Sequence, residues 1–247
     1  MIWLDHHPAP ACVRETAKLR EEFIAVLGHD LRSPLAAISS GAEYLHARPA
    51  TPEVFAVSKL IKSSVTRMSR LIDDIMDFAR GRLGNGIPAR IECVGNLATH
   101  LEAVIQEIAR ANEGRVFEPT MAIGREVHCD AARLQQLLAN LLVNAVTHGS
   151  TEAPISVSVV TDESYLIIEV ANRGDVIPPE ALAKVFQPYW RPAGKTTNQE
   201  GLGLGLYICQ QVVRAHSGTI CAYSSKDDGT RFIARIPSAP ASQGRQR

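Results

Sequence analysis

The sequence predicts an α+β protein: an N-terminal helical hairpin, then a half in which helices cover one face of a mixed sheet. Three observations lead there. Apolar residues recur at intervals of three and four through 12–47 and again through 52–83, the period of a helix with one buried face. The glycine-rich break Gly81-Arg82-Leu83-Gly84-Asn85-Gly86-Ile87-Pro88 follows the second helix and marks a domain boundary. Beyond it, short alternating or continuous apolar runs interleave with helical periods, as strands and helices sharing a core do.

Residues 1–11 hold Pro8 and Pro10 and show no period, so they form a flexible lead-in. His6 and His7 lack further ligands at metal-binding spacing. The first helix carries its apolar stripe at Leu19, Phe23, Leu27, Leu31, Pro34, Ile38, Ala42 and Leu45. Arg48-Pro49-Ala50-Thr51-Pro52-Glu53 breaks it, with Thr51 as N-cap and Pro52 at the first position of the next helix. That helix has its stripe at Val54, Val57, Ile61, Val65, Met68, Leu71 or Ile72, Ile75 and Phe78, and a polar face of Lys59, Lys62, Arg67, Arg70 and Asp74. An apolar face this long is not left in water. Residues 12–83 are therefore expected to pair as a homodimeric four-helix bundle; a coiled-coil spacer accounts for the stripes equally well.

A linker at 84–89 leads to an α/β domain at 90–237. The pattern predicts a helix at 95–111, strands near 115–118 and 126–128, and a helix at 130–147 with Asp130 as its cap. Two strands follow, Ile155-Ser-Val-Ser-Val-Val160 and Tyr165-Leu-Ile-Ile-Glu-Val170. A helix at 203–216 precedes strands 218–224 and 230–236, joined by the hairpin-forming Lys226-Asp227-Asp228-Gly229. The tail 238–247 has the composition of a disordered segment.

Lys+Arg and Asp+Glu both number 26, so no net field argues for nucleic acid or an anionic membrane. No apolar run approaches the roughly 18 residues that cross a bilayer, and no signal segment opens the chain. Cys12, Cys93, Cys129, Cys209 and Cys221 are scattered without a CxxC pair; they read as reduced thiols of a cytoplasmic protein.

The chemistry begins at His29. Two residues from both Leu27 and Leu31, it points away from the apolar stripe at about 100° per residue. Asp30 follows at once. A carboxylate that takes the proton from one ring nitrogen leaves the other free as a nucleophile. Pro34 has no N–H to donate and loosens the helix just beyond. The run His29-Asp30-Leu31-Arg32-Ser33-Pro34-Leu35 resembles the phospho-acceptor box of bacterial two-component sensor histidine kinases.

The second half carries four boxes similar to those of the ATP-binding domain shared by histidine kinases, heat-shock ATPases of the ninety-kilodalton class, gyrases and mismatch-repair ATPases. In Asn140-Leu-Leu-Val-Asn144-Ala-Val-Thr-His148, the asparagines are four apart and share a helix face. The resemblance implies that Asn144 ligates Mg²⁺ through its amide oxygen, with Asn140 in support. Thr147 and His148 stand where the family usually has Lys and Tyr, and His148 is left to donate to a phosphate or pack on the nucleotide.

In Asn172-Arg173-Gly174-Asp175-Val176-Ile177-Pro178, the family pattern Asp-x-Gly-x-Gly-Ile has Asn172 for Asp and Val176 for the second Gly. An amide oxygen accepts a bond from the adenine amino group as a carboxylate does, without the charge that strengthens it, and its NH₂ can turn to a ring nitrogen. Phe186-Gln-Pro-Tyr-Trp190 resembles the phenylalanine box anchoring a lid at 187–202. Gly201, Gly203, Gly205 and Leu206 open a helix whose N-terminus suits phosphates, and Gly229-Thr230-x-Phe232 follows the four boxes.

The implied activity is ATP- and Mg²⁺-dependent autophosphorylation of His29, with Asp30 as base, then transfer to an aspartate on a response-regulator receiver domain. An upstream sensor domain or protein supplies the signal. Ser33, four residues after His29, stands where the family orients the water of a phosphatase step. A non-catalytic histidine phosphotransfer or scaffold protein is the alternative that Asn172, Val176 and Thr147 support; an ATPase without phosphohistidine is a second.

Overall fold

The structure, a computed structural model of the chain, describes residues 35–36, 38–45, 51–83, 86–190 and 202–238. Two compact units divide between Gly86 and Ile87. In the first, residues 35–36 and 38–45 are helical (α1), and α2 spans Pro52–Leu83. The Thr51 carbonyl accepts from Phe55 N at 3.1 Å, opening α2 beside Pro52. Leu35 packs with Val65, Ile72 and Met76, and Ser58 Oγ donates to Ala42 O at 2.8 Å. The earlier residue of α1 meets the later residues of α2, so the helices run antiparallel.

The stripe expected on α2 divides. Val54, Ser58, Ile61, Val65, Met68, Ile72, Ile75 and Ala79 follow one another by four and three, the spacing of a heptad seam. Ser58, Val65 and Ile72 are buried, whereas Val54, Met68 and Ile75 remain 38%, 51% and 46% exposed. Val57, placed in the stripe by spacing, is exposed as well. One neighbouring helix covers one flank of a seam and leaves the other open.

The second unit contains β1 (Glu92–Val94), α3 (Leu97–Ala111), β2 (Phe117–Ala122), β3 (Val127–Cys129), α4 (Ala131–His148), β4 (Ile155–Thr161), β5 (Tyr165–Asn172), the single turn α5 (Pro179–Leu182), α6 (Gly205–Ala215), β6 (Thr219–Ser225) and β7 (Gly229–Pro237). Five strands form a sheet in the order β2-β4-β5-β7-β6; β1 and β3 pair separately. Only β2–β4 is parallel in the large sheet, so it is mixed, as expected. Alternation along β4 and β5 sends Ile155, Val157, Val159, Leu166, Ile168 and Val170 into the core. There they meet the apolar side of α4, where Leu134, Leu137, Leu138, Leu141 and Leu142 are fully buried. The other sheet face is partly open and carries the Arg231–Glu169 ion pair at 3.6 Å.

Several boundaries differ from expectation. β2 starts two residues later than predicted and runs through Pro119; it is an edge strand, where a missing N–H is tolerated. β1, three residues long, and α5 have too little pattern of their own to be foreseen. Ser238, placed in the disordered tail, is buried; its N–H donates to Ser164 O at 2.9 Å and its carbonyl accepts from His128 N at 3.2 Å. Ile87, placed in the linker, is buried too. Among the described residues no helix is long and apolar enough to cross a membrane, and Cys93, Cys129, Cys209 and Cys221 are free thiols.

Candidate functional site

The site is assembled around the far end of α4. Asp130 caps its start, accepting from Arg133 N at 3.1 Å and, through its other oxygen, from Arg90 N at 2.9 Å. With the leucines of α4 turned to the sheet, Asn140, Asn144 and His148 fall on another side at intervals of one turn. Asn140 Nδ2 donates to Gly205 O at 3.4 Å, tying α4 to the start of α6. Leu204 precedes α6 and no side chain caps it. Its first N–H groups and the positive end of its dipole are thus available to an anion.

The glycines of that stretch differ in role. Gly203 has φ +69°, and a Cβ there would stand 3.1 Å from Trp190 O and 3.2 Å from the Tyr189 backbone. Its carbonyl accepts from Tyr189 N at 3.0 Å, and Tyr189 itself has φ +62°. A Cβ on Gly205 would make only ordinary contact with Asn140, at 3.7 Å. The spacing of the glycines therefore overstates the need at Gly205. Leu206 is the second residue of α6. Gly201 lies outside the described residues, as do His29, Asp30 and Ser33.

Backbone contacts bring the second box against the first. Gly149 and Gly174 form a bridge, and Ser150 N donates to Arg173 O at 2.6 Å. A Cβ on Gly174 would lie 2.5 Å from His148 O, so only glycine permits this approach. Asn172 ends β5 directly opposite Thr230 on β7, and the two side chains are 7% and 5% exposed. Asn172 Nδ2 donates to Arg173 O at 3.2 Å. One of the two amide hydrogens is thereby held by backbone, and Oδ1 keeps its acceptor capacity. Gly229, at φ +77°, lets β7 begin against Asn172 O, 2.4 Å from where a Cβ would be. Phe186 packs edge-on against the buried Phe232, with ring centroids 6.2 Å apart. Thr147 returns its hydroxyl to Val143 O at 2.8 Å, so it supplies no replacement for the family lysine.

Two participants carry no sequence signal. Ser224 Oγ accepts from Ile177 N at 2.9 Å and lies 2.8 Å from Thr230 Oγ1. Arg115 donates to Ser150 O at 2.5 Å and to Ala145 O at 3.2 Å, a cation at the C-terminal end of α4, where the helix dipole favours it. Both roles arise from strand register and chain crossing, and no motif marks either residue.

Among the described residues no three His, Cys, Asp or Glu could hold a metal ion together. A half-buried amide such as Asn144 suits Mg²⁺, which takes few protein oxygens and completes its shell with phosphate and water.

A helix-covered mixed sheet with these boxes gathered at one end defines an ATPase-type nucleotide-binding unit. Residues 129–240 match the family described as "Histidine kinase-, DNA gyrase B-, and HSP90-like ATPase", and residues 19–84, which include His29, match the "His Kinase A (phospho-acceptor) domain". The chain is 34% identical over 234 residues to a bacteriophytochrome of Pseudomonas aeruginosa, covering 93% of this chain and 31% of that protein. It is 31% identical over 242 residues to the probable sensor histidine kinase TcrY of Mycobacterium tuberculosis, covering 95% and 49%. Among solved structures, full-length ShkA in complex with AMPPNP superposes with a TM-score of 0.68 at 23% identity, over 89% of this chain and 46% of that one; this likeness speaks for the fold. The chain thus spans less than half the length of either curated relative. Phospho-acceptor and ATPase domains follow one another in a single chain, which belongs to the two-component sensor histidine kinases.

Proposed function

We propose that the chain is the catalytic core of a sensor histidine kinase: it binds ATP in the second unit and transfers the γ-phosphoryl group to a ring nitrogen of His29. The observation that carries this is the convergence of four separated boxes on one end of one sheet. Asn140 meets Gly205, Gly149 meets Gly174, Asn172 faces Thr230, and Ile177 reaches Ser224. No single short motif specifies a nucleotide site; four that meet in space do.

In this reading Asn172 Oδ1 accepts from the adenine amino group, and the open N–H groups of α6 from Gly205 onward receive phosphate oxygens. Gly203 keeps the approach to them free of side chains, while Phe186 fixes the segment that leads there. His148 contributes a donor near the phosphates. Asn144 is the protein ligand to Mg²⁺, which when bound neutralises phosphate charge and orients the triphosphate. Asp30 removes the proton from His29, so that the attacking nitrogen presents its lone pair. The phosphoryl group then passes to an aspartate of a response-regulator receiver domain, and Ser33 orients the water that, in the phosphatase reaction, hydrolyses that aspartyl phosphate to aspartate and inorganic phosphate. The open flank of α2 supports pairing with a second copy, and a sensor domain or protein upstream supplies control to this cytoplasmic core.

Incubation with γ-labelled ATP tests the reading. Wild type is expected to take up an acid-labile, base-stable label, and His29→Gln, which leaves the apolar stripe intact, none. Labelling of His29→Gln at the wild-type level would overturn the assignment.

A further inference from the structure

Helix α4 does not close its own C-terminal end. Gly149, its C-cap, is extended at φ −77° and ψ 151°, so the chain does not enter the left-handed turn that pairs the final carbonyls of many helices. Arg115 reaches that end from outside. It stands between α3 and β2, and bonds on either side hold its backbone. Arg115 N donates to Asn112 O at 3.1 Å, and Val116 O accepts from Ile155 N at 2.9 Å. From there Nη1 donates to Ser150 O at 2.5 Å and Nη2 to Ala145 O at 3.2 Å. A guanidinium only donates and a carbonyl only accepts, so both bonds have one sense. The planar fork thus bridges the last turn of α4 and the residue just past its end, which a lysine ammonium does not copy.

Contact continues from Arg115 to the end of β5. A Cβ on Gly149 would lie 2.9 Å from Arg115 Nη2 and 3.2 Å from Asn172 Cβ, so the three residues pack in series. Ser150 N donates to Arg173 O at 2.6 Å, and the same carbonyl accepts from Asn172 Nδ2 at 3.2 Å. Asn144 directly precedes Ala145, and His148 directly precedes Gly149. We propose that Arg115 is a positioning residue for the phosphate side of the nucleotide site: by bridging Ala145 O and Ser150 O it holds Asn144 and His148 at a set distance from Asn172. A nucleotide reaching from base to metal spans that distance. A loosened helix end would leave the base contact in place and spoil the ligation of Mg²⁺. Arg115 acts through the helix end, not on the nucleotide. The inference rests on the reading of Asn172 as the base contact and Asn144 as the Mg²⁺ ligand.

The test measures the dissociation constant of ATP on the full chain with Mg²⁺ and with EDTA, and amide hydrogen exchange without nucleotide. Wild type is expected to bind ATP more tightly with Mg²⁺. Arg115→Gln should weaken binding about tenfold with Mg²⁺, the scale of one hydrogen bond from a charged group, and change it little with EDTA. In that variant residues 145–150 should exchange faster, while amides near Leu134, Leu137 and Leu138 keep their protection. Should Arg115→Gln melt early, Arg115→Lys, which keeps the charge without the fork, gives the same readout in weaker form. Equal losses with Mg²⁺ and with EDTA, as a general loosening of the fold would give, overturn the inference and leave the ATP reading standing. So does an unchanged Mg²⁺ effect in a folded variant, or a wild type that binds ATP equally in both conditions. Wild type that binds no ATP in either condition overturns both.

Discussion

The two units solve the burial problem in opposite ways. In the sheet unit the apolar residues of α4, β4, β5 and β7 close on one another until Leu138, Leu141, Ile168 and Val170 have no exposed surface. In the hairpin, among the described residues, one flank of the α2 seam is covered, and Val54, Met68 and Ile75 face outward alongside Val57 and Leu60. The sheet unit holds a complete core; the hairpin holds half of one. A sheet with helices on one face is a finished two-layer solution, whereas two antiparallel helices have a second face to cover. Stability should therefore be intrinsic to the sheet unit and concentration-dependent in the hairpin.

Truncating the closed core gives the largest effect. Leu141→Ala, at a fully buried position, should cost the sheet unit about 2–5 kcal/mol by loss of transfer energy plus a cavity. A chemical-denaturation curve should show one transition moving early while the hairpin transition stays where it was. Coupled movement of both would mean that the two units fold as one.

The open flank offers the sharper cut. Met68→Asp with Ile75→Asp places two charges on exposed positions of α2, so an isolated chain should tolerate them. If the flank is covered by a second copy, the dimer dissociation constant should rise about a hundredfold, ~3 kcal/mol, for burying charge without partners. Sedimentation across a concentration series reads this directly, and an unchanged dimer would assign the pairing surface elsewhere.

A smaller contrast lies in pH. In the hairpin, burial together with the Asp77 and Asp73 carboxylates pushes the Asp74 carboxyl up to about 7, against the opposing pull of Arg70. The folded hairpin thus prefers the protonated form, and its stability falls as pH rises from about 4 to about 7. In the sheet unit, His216 accepts from Asp130 N through Nε2 at 3.0 Å, which makes Nδ1 the donor to Val212 O at 2.8 Å. Burial holds this imidazole below its ordinary range, against the raising influence of the Val212 bond and Asp130. The neutral ring is the folded form, so its contribution is whole above pH ~6.5 and declines below. Between pH 5 and 6.5 the two units should therefore drift in opposite directions. Hydrogen exchange resolved by unit would show this, and Asp74→Asn should flatten the hairpin's slope alone.

Much of this was legible in the sequence, and the omissions have physical causes. The long periods of α2, α3 and α4, the alternation of β4 and β5 and the Asp130 cap are local properties, so spacing reveals them. β1 exists because β3 pairs with it, and β2 crosses Pro119 because nothing lies beyond it on the sheet edge. The single stripe expected on α2 could not show which of its members a neighbour would cover. In the site, the asparagines and glycines stood out through their motifs. Ser224 did not, since its role comes from a strand register that sets it opposite Thr230.

The hydrogen bond between Tyr189 and Gly203 has a use in protein engineering. Both residues adopt left-handed backbone conformations, and the bond from Tyr189 N to Gly203 O brings the two ends of the intervening stretch to a common point. The scaffold is thus tied at both ends of the stretch, whatever the number of residues in it. Doubling it with a flexible insert adds only about 0.6 kcal/mol of closure entropy, which makes this position a natural port for a reporter peptide or a tether.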